Sequence, residues 1–135
     1  MLYILDTDTC SYIIKDNNEN IKHNLIVRRG SSICTSAITR AELMFGVAKK
    51  RSEKITSKVK DFLRMIDVIP FDSSAADVYA TLRRDLESSG DIIGNMDLLI
   101  ASCAIANNAI LVTNNTKHFS KIDNLEVQNW LQISR

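Results

Sequence analysis

Three acidic side chains occupy positions from which a carboxylate can do chemistry. Asp6 directly follows an apolar run in LYILDTDTC. Taken alone it reads equally as a capping residue, with Asp6 or Thr7 closing the start of a helix that begins near Thr9. Glu42 lies in ITRAELMFGV, with Ile38 one helical turn before it and Phe45 three residues after it. No basic residue shares that face before Lys49, so the face is expected to be packed, and an unpaired carboxylate buried there is costly. The alternative is a solvated helix glutamate. Asp97 opens the apolar segment MDLLIASCAIA, with Ile100 and Ala101 on its own face. Its alternative is an acid placed against a helix dipole, worth under about 1 kcal/mol.

If the three converge, each like-charge pair at 4 Å costs on the order of 4 kcal/mol at an effective dielectric near 20. The carboxylates must then take up protons or share a divalent cation. Oxygen ligands without His or Cys select a hard ion, so Mg²⁺ is the expected cofactor and Mn²⁺ its substitute. Such an ion suits phosphoryl chemistry, since it activates a bound water and neutralises charge on the phosphate. Thr113 and Asn115 stand just past the run ILVT. They either position a phosphate or a metal-bound water, or belong to an Asn-rich capping turn.

Positioning these groups requires strands that end near one another. Short strand-type runs occur at residues 2–5, 32–35, 68–71, 110–113 and 126–127. Helical spacing covers about residues 38–50 and 53–66, the latter repeating Ile55, Val59, Phe62, Leu63 and Ile66 on one face. Further helices are expected at 73–87, opened by the capping sequence Asp-Ser-Ser, and at about 95–108. Strands alternating with helices predict a mostly parallel sheet covered on both faces. Sites in such folds lie beyond the carboxyl ends of the strands.

Composition bounds the rest. The 135 residues suffice for one compact domain, expected over 1–135, and 45% hydrophobic with 24% charged residues is the balance of a soluble globular chain. No apolar run is long enough to span a bilayer, and no signal peptide is expected. Cys10, Cys34 and Cys103 are odd in number and lack a CxxC spacing, which predicts free buried thiols in a reducing cytoplasm. The two histidines, His23 and His118, are too few for a histidine-rich zinc site. A formal charge of +1 does not announce a nucleic-acid binder. Locally, however, residues 49–64 carry seven cations against Glu53 and Asp61. Lys49, Lys50, Arg51, Lys54 and Lys58 are the candidate contacts to an RNA backbone, the alternative being the solvated face of an amphipathic helix. Tyr12, Ile13 and Ile14 read as core or as part of an exposed partner groove, and Trp130 as an anchor for the terminal strand.

In order and spacing, several stretches resemble the PIN-domain ribonucleases, specifically the VapC-type toxins. They are YILDTDTCSYIIK, SAITRAELMFGVAK, the long segment from IPFDSSAADVY through MDLLIASCAIANNAILVTNNTKHF, and LEVQNWL. The resemblance implies a three-layer α/β/α PIN-like domain with a five-stranded sheet. It places Asp6, Glu42 and Asp97 on the family's metal-binding and catalytic acids. It implies Mg²⁺-dependent endonucleolytic cleavage of RNA, with tRNA a plausible target, and a homodimer. It also implies an antitoxin protein that silences the site, in an assembly that binds operator DNA through the antitoxin. Two positions depart from the pattern. Asp8 stands where many PIN domains carry Asn and adds a candidate ligand, while Asn115 stands where many carry a fourth acid.

Two other readings are open. LYILDTDTC nearly supplies the hhhhDxDx[TV] pattern of haloacid-dehalogenase-like phosphatases, with Asp6 as nucleophile and Asp8 as general acid/base. Cys10, however, holds the Thr/Val position. A non-catalytic RNA- or partner-binding domain with a degenerate acid cluster is the second, and its mark would be binding unchanged by metal removal.

Overall fold

Alternation along β1 (Leu2–Leu5) sets the architecture, because both sets of its side chains are apolar. Tyr3 and Leu5 enter one core cluster, while Leu2 and Ile4 face the other. A strand buried on both faces must lie at the centre of a covered sheet. The computed structural model describes residues 1–132. After β1 come α1 (Thr7–Lys15), α2 (Glu19–Val27), β2 (Ser32–Ser36), α3 (Ala37–Lys50) and α4 (Glu53–Met65). Then follow β3 (Asp67–Ile69), α5 (Ser73–Ser88), α6 (Asn95–Ala106), β4 (Ile110–Val112), α7 (Thr116–Phe119) and β5 (Val127–Gln128). The five strands pair in the order β3-β2-β1-β4-β5, all parallel.

One core packs α1, α2, α3 and α4 against the sheet through Cys10, Ile21, Leu43, Val59 and Leu63. The other packs α6 and α7 on the opposite face through Ile100, Ala101, Ala104 and Phe119, with Leu82 of α5 against it. The sandwich is the expected α/β/α arrangement, with the sheet wholly parallel rather than mostly so. The apolar face of α4 is the one its spacing predicts, since Ile55, Val59, Phe62, Leu63 and Ile66 all join one core. Asp72 caps α5 as expected, accepting from the Ala75 amide. The three cysteines are free and buried.

The differences have local causes. β3 ends at Ile69 instead of running to residue 71, because Pro70 has no N–H to offer the ladder. β5 is shifted one residue onward. α1 begins at Thr7, two residues earlier than expected. α6 stops at Ala106, and Asn108 takes a left-handed conformation (φ 52°). α2 was not expected at all: it buries only Ile21 and Asn24 and leaves Ile26 and Val27 exposed, so no apolar stripe marks it.

Candidate active site

β2 and β4 flank β1 on opposite sides, so the chain reverses direction across the sheet at this point. The crevice beyond the strand ends at such a switch is where α/β folds hold ligands. Asp6 enters it from β1, and its amide donates to the Val112 carbonyl of β4 at 3.0 Å. Its side chain is only 4% exposed. Oδ1 accepts from the Thr9 amide at 2.9 Å, so Asp6 does cap α1. The Thr113 hydroxyl, itself fully buried, also donates to this carboxyl. Burial pushes the Asp6 carboxyl above its ordinary value; the bonds from Thr113 and Thr9 offset part of that, and the nearby charge of Asp8 adds to it. The capping and site readings of Asp6 are therefore compatible: the cap occupies one oxygen of a buried acid at the strand end. Asp8 itself is exposed in the first turn of α1.

Glu42 arrives from α3, whose start at Ser36 is held by a buried side-chain cap to the Thr39 amide. Its Oε1 accepts from the Thr7 hydroxyl at 2.5 Å, and Thr7 Oγ1 lies 3.1 Å from Thr39 Oγ1. The surroundings correct one expectation. Phe45, expected on a packed face with Glu42, is 68% exposed, and Glu42 is half-buried. α3 turns Leu43 inward instead, and Glu42 stays half-buried beside Thr7.

Asp97 lies in the first turn of α6, as its position in the sequence implies, with Ile100 and Ala101 buried behind it. Its Oδ2 is 3.5 Å from His118 Nδ1, on α7. Asn115 precedes α7 without making a side-chain cap bond, and its amide donates to Thr113 Oγ1 at 3.0 Å. Asn114, between them, has a buried Oδ1 with no hydrogen-bond partner among the described residues.

From the sequence Thr7 was named only as a possible helix cap and His118 only in setting aside a zinc site, and Thr39 and Asn114 were not singled out. Thr7 and Thr39 adjoin the acids at one residue and three residues, and only the crossing of α1 over α3 reveals their contact.

Among the described residues, no three His, Cys, Asp or Glu side chains stand together so as to hold an ion directly. The available donors are carboxylates, hydroxyls and side-chain amides, which suit a hard ion that keeps part of its water shell. Among the described residues the Asn114 Oδ1 and the buried Asp6 are acceptors without a positive partner, and a hydrated divalent cation fits that deficit.

Lys49, Lys50, Arg51, Lys54 and Lys58 are all exposed, where α3 meets α4. A groove of about 330 Å³ runs between α1, α3 and α4. Ile14, Leu43, Val47, Ile55 and Val59 line it, Lys15, Lys50 and Lys58 add cations, and it reaches Thr7 and Glu42. Tyr12 and Ile13 are half-buried against the core. Trp130 is buried, 5.4 Å from the Tyr3 ring, and anchors the terminal segment as expected.

Fold and site together define a parallel α/β domain with acidic residues at the carboxyl edge of its central strands. Residues 3–125 match the family model for the PIN domain. Ribonuclease VapC2 of Rickettsia felis is 46% identical over 132 residues, covering 96% of this chain and 98% of that protein. The tRNA(fMet)-specific endonuclease VapC of Shigella flexneri is 30% identical, covering 95% and 97%. The VapBC2 complex of Rickettsia felis, solved bound to a promoter DNA fragment, contains a chain that superposes with a TM-score of 0.90. That chain is 45% identical, with 96% and 99% covered. The chain belongs to the PIN-domain family, and within it to the VapC-type ribonucleases of toxin–antitoxin pairs. This membership sets aside the phosphatase reading. No helix among the described residues is long and apolar enough to cross a membrane.

Proposed function

We propose that this chain is a Mg²⁺-dependent endoribonuclease, with Mn²⁺ able to substitute, in which Asp6, Glu42 and Asp97 are the metal-binding and catalytic carboxylates. The observation that carries this reading is the burial of Asp6 at the end of β1, together with the buried, unpartnered amide oxygen of Asn114 in the loop after the neighbouring β4. When bound, the ion would supply an activated water and charge neutralisation on the scissile phosphate. The chain's own residues do the positioning. Thr9 and Thr113 orient Asp6, Thr7 orients Glu42, and Asp8, Thr113 and Asn115 line the approach to the phosphate. Lys49, Lys50, Arg51, Lys54 and Lys58 hold the RNA backbone.

The substrate class we assign is structured RNA, with tRNA favoured because the Shigella flexneri relative is named for tRNA(fMet). The partner is an antitoxin whose apolar segment occupies the groove beside Ile14 and Glu42, and through which a homodimer of this chain reaches operator DNA. VapBC complexes among the structural relatives, one bound to promoter DNA, support this part. Three free buried thiols fit a cytoplasmic site of action.

The test is to incubate the purified chain with total cellular RNA, with Mg²⁺ or with excess EDTA after dialysis, and to map the new ends. Discrete ends that appear only with Mg²⁺ are expected. Undiminished cleavage in EDTA would overturn the metal-dependent reading, and metal-independent RNA binding with no cleavage would favour a binding domain.

A further inference from the structure

Each candidate acid has a polar neighbour from another part of the fold: Thr113 for Asp6, Thr7 for Glu42 and His118 for Asp97. The third pairing is the least expected from sequence. His118 lies on α7, a single turn with no direct sequence connection to α6, yet its Nδ1 is 3.5 Å from Asp97 Oδ2. Its side chain is 60% exposed, so core packing does not account for its place. The backbone does. The His118 amide donates to the Asn115 carbonyl at 3.0 Å, and the Asn115 amide donates to Thr113 Oγ1 at 3.0 Å. Thr113 in turn bonds the Asp6 carboxyl. A continuous path thus runs from Asp6 through Thr113 and the turn at Asn115 to His118 and Asp97. It joins acids that come from β1 and α6.

We infer that His118 is a positioning residue for Asp97. Its imidazole, 3.5 Å from Oδ2, presents ring nitrogen to that oxygen, restricts rotation of the carboxylate and leaves the other oxygen free for the ion. This role rests on the reading of Asp97 as a metal-binding acid. Groups that orient a ligating carboxylate in this way commonly change metal affinity or activity by about 10–100-fold when removed. An exposed contact belongs at the lower end of that range.

The experiment compares wild type with His118→Leu, His118→Asn and Asp97→Asn, each verified as folded by circular dichroism. Mn²⁺ binding is titrated by electron paramagnetic resonance, and cleavage kinetics are measured against Mg²⁺, Mn²⁺ and RNA concentration. His118→Leu should bind Mn²⁺ about tenfold more weakly and need about tenfold more of either ion for half-maximal cleavage, with KM for RNA within about twofold of wild type. His118→Asn, which keeps an N–H near the Nδ1 position, should recover most of the loss. Unchanged metal binding in His118→Leu would overturn the inference. So would a raised KM with normal metal response, which makes His118 an RNA contact, or a loss confined to Mn²⁺, which makes it a ligand. Asp97→Asn separates the two levels: if that variant keeps normal metal binding and cleavage, the assignment of Asp97 itself has failed.

Discussion

Burial of Asp6 has opposite consequences for stability and for chemistry. Its folded carboxyl titrates above the ordinary 3.8, chiefly through desolvation. The native state therefore keeps this proton at pH values where the unfolded chain has released it. Stability contributed at Asp6 is present below 3.8 and is lost as pH rises through the raised folded value. In chelator at pH 7, Asp6→Asn should melt higher than wild type, and the gap should close as pH falls toward the acid range. Asparagine preserves the cap, because its amide oxygen still accepts from the Thr9 N–H. The same variant should lose at least about 10²-fold in cleavage rate, the usual scale for an electrostatic catalytic group. A variant that melts lower at pH 7 would show that the carboxylate's hydrogen bonds outweigh its desolvation.

Among the elements, α2 depends most on tertiary contacts. Its own sequence offers little amphipathic drive, and it is held by the fully buried Asn24. Asn24 Nδ2 lies within hydrogen-bonding distance of the carbonyls of Asn20, Trp130 and Gln132, and its Oδ1 accepts from Arg28 at 2.6 Å. Arg28 also stacks over the Tyr3 and Trp130 rings. One amide thus ties α2 to the end of the chain. Asn24→Ala leaves the Trp130 carbonyl, whose bond to Asn24 is buried, without this donor, at a cost of about 1–3 kcal/mol. Urea denaturation should show a lower midpoint with an unchanged slope. A midpoint equal to wild type would mean that water replaces the lost bonds.

At the scale of the whole molecule, charge is unevenly placed. The chain carries +1 overall, yet residues 49–64 hold an excess of five positive charges, and Lys50 and Lys58 of that segment line the groove that also includes Glu42. Arg64 already pairs with Asp61, and Lys49, Lys50, Arg51, Lys54 and Lys58 remain exposed. RNA affinity should fall steeply with salt. Lys54→Ala combined with Lys58→Ala should flatten the log–log salt slope by about 1.4, or 0.7 per lost phosphate contact on single-stranded RNA. Filter binding of RNA in chelator measures this without cleavage. A slope equal to wild type would return these lysines to the role of a solvated helix face.

Much of this was legible in the chain itself. Periodicity depends only on local geometry, so the apolar face of α4, the capped start of α5 and the two-sided apolar β1 could be read directly. The positions of Asp6 and Asp97, at a strand end and in a helix first turn, could be read for the same reason. Side-chain direction across elements could not. Phe45 was expected in a packed face and lies in solvent, because α3 turns Leu43 toward the core, and spacing alone does not say which side of a helix is covered. α2 carries no periodic signal, since its stabilising bonds go to residues more than a hundred positions away. Thr7 meets Glu42 across 35 residues, and His118 meets Asp97 across a strand and a turn. Sequence determined the chemistry available and the local elements that carry it. Only the tertiary structure decided which polar groups hold those carboxylates, because such contacts arise from non-local packing that no spacing encodes.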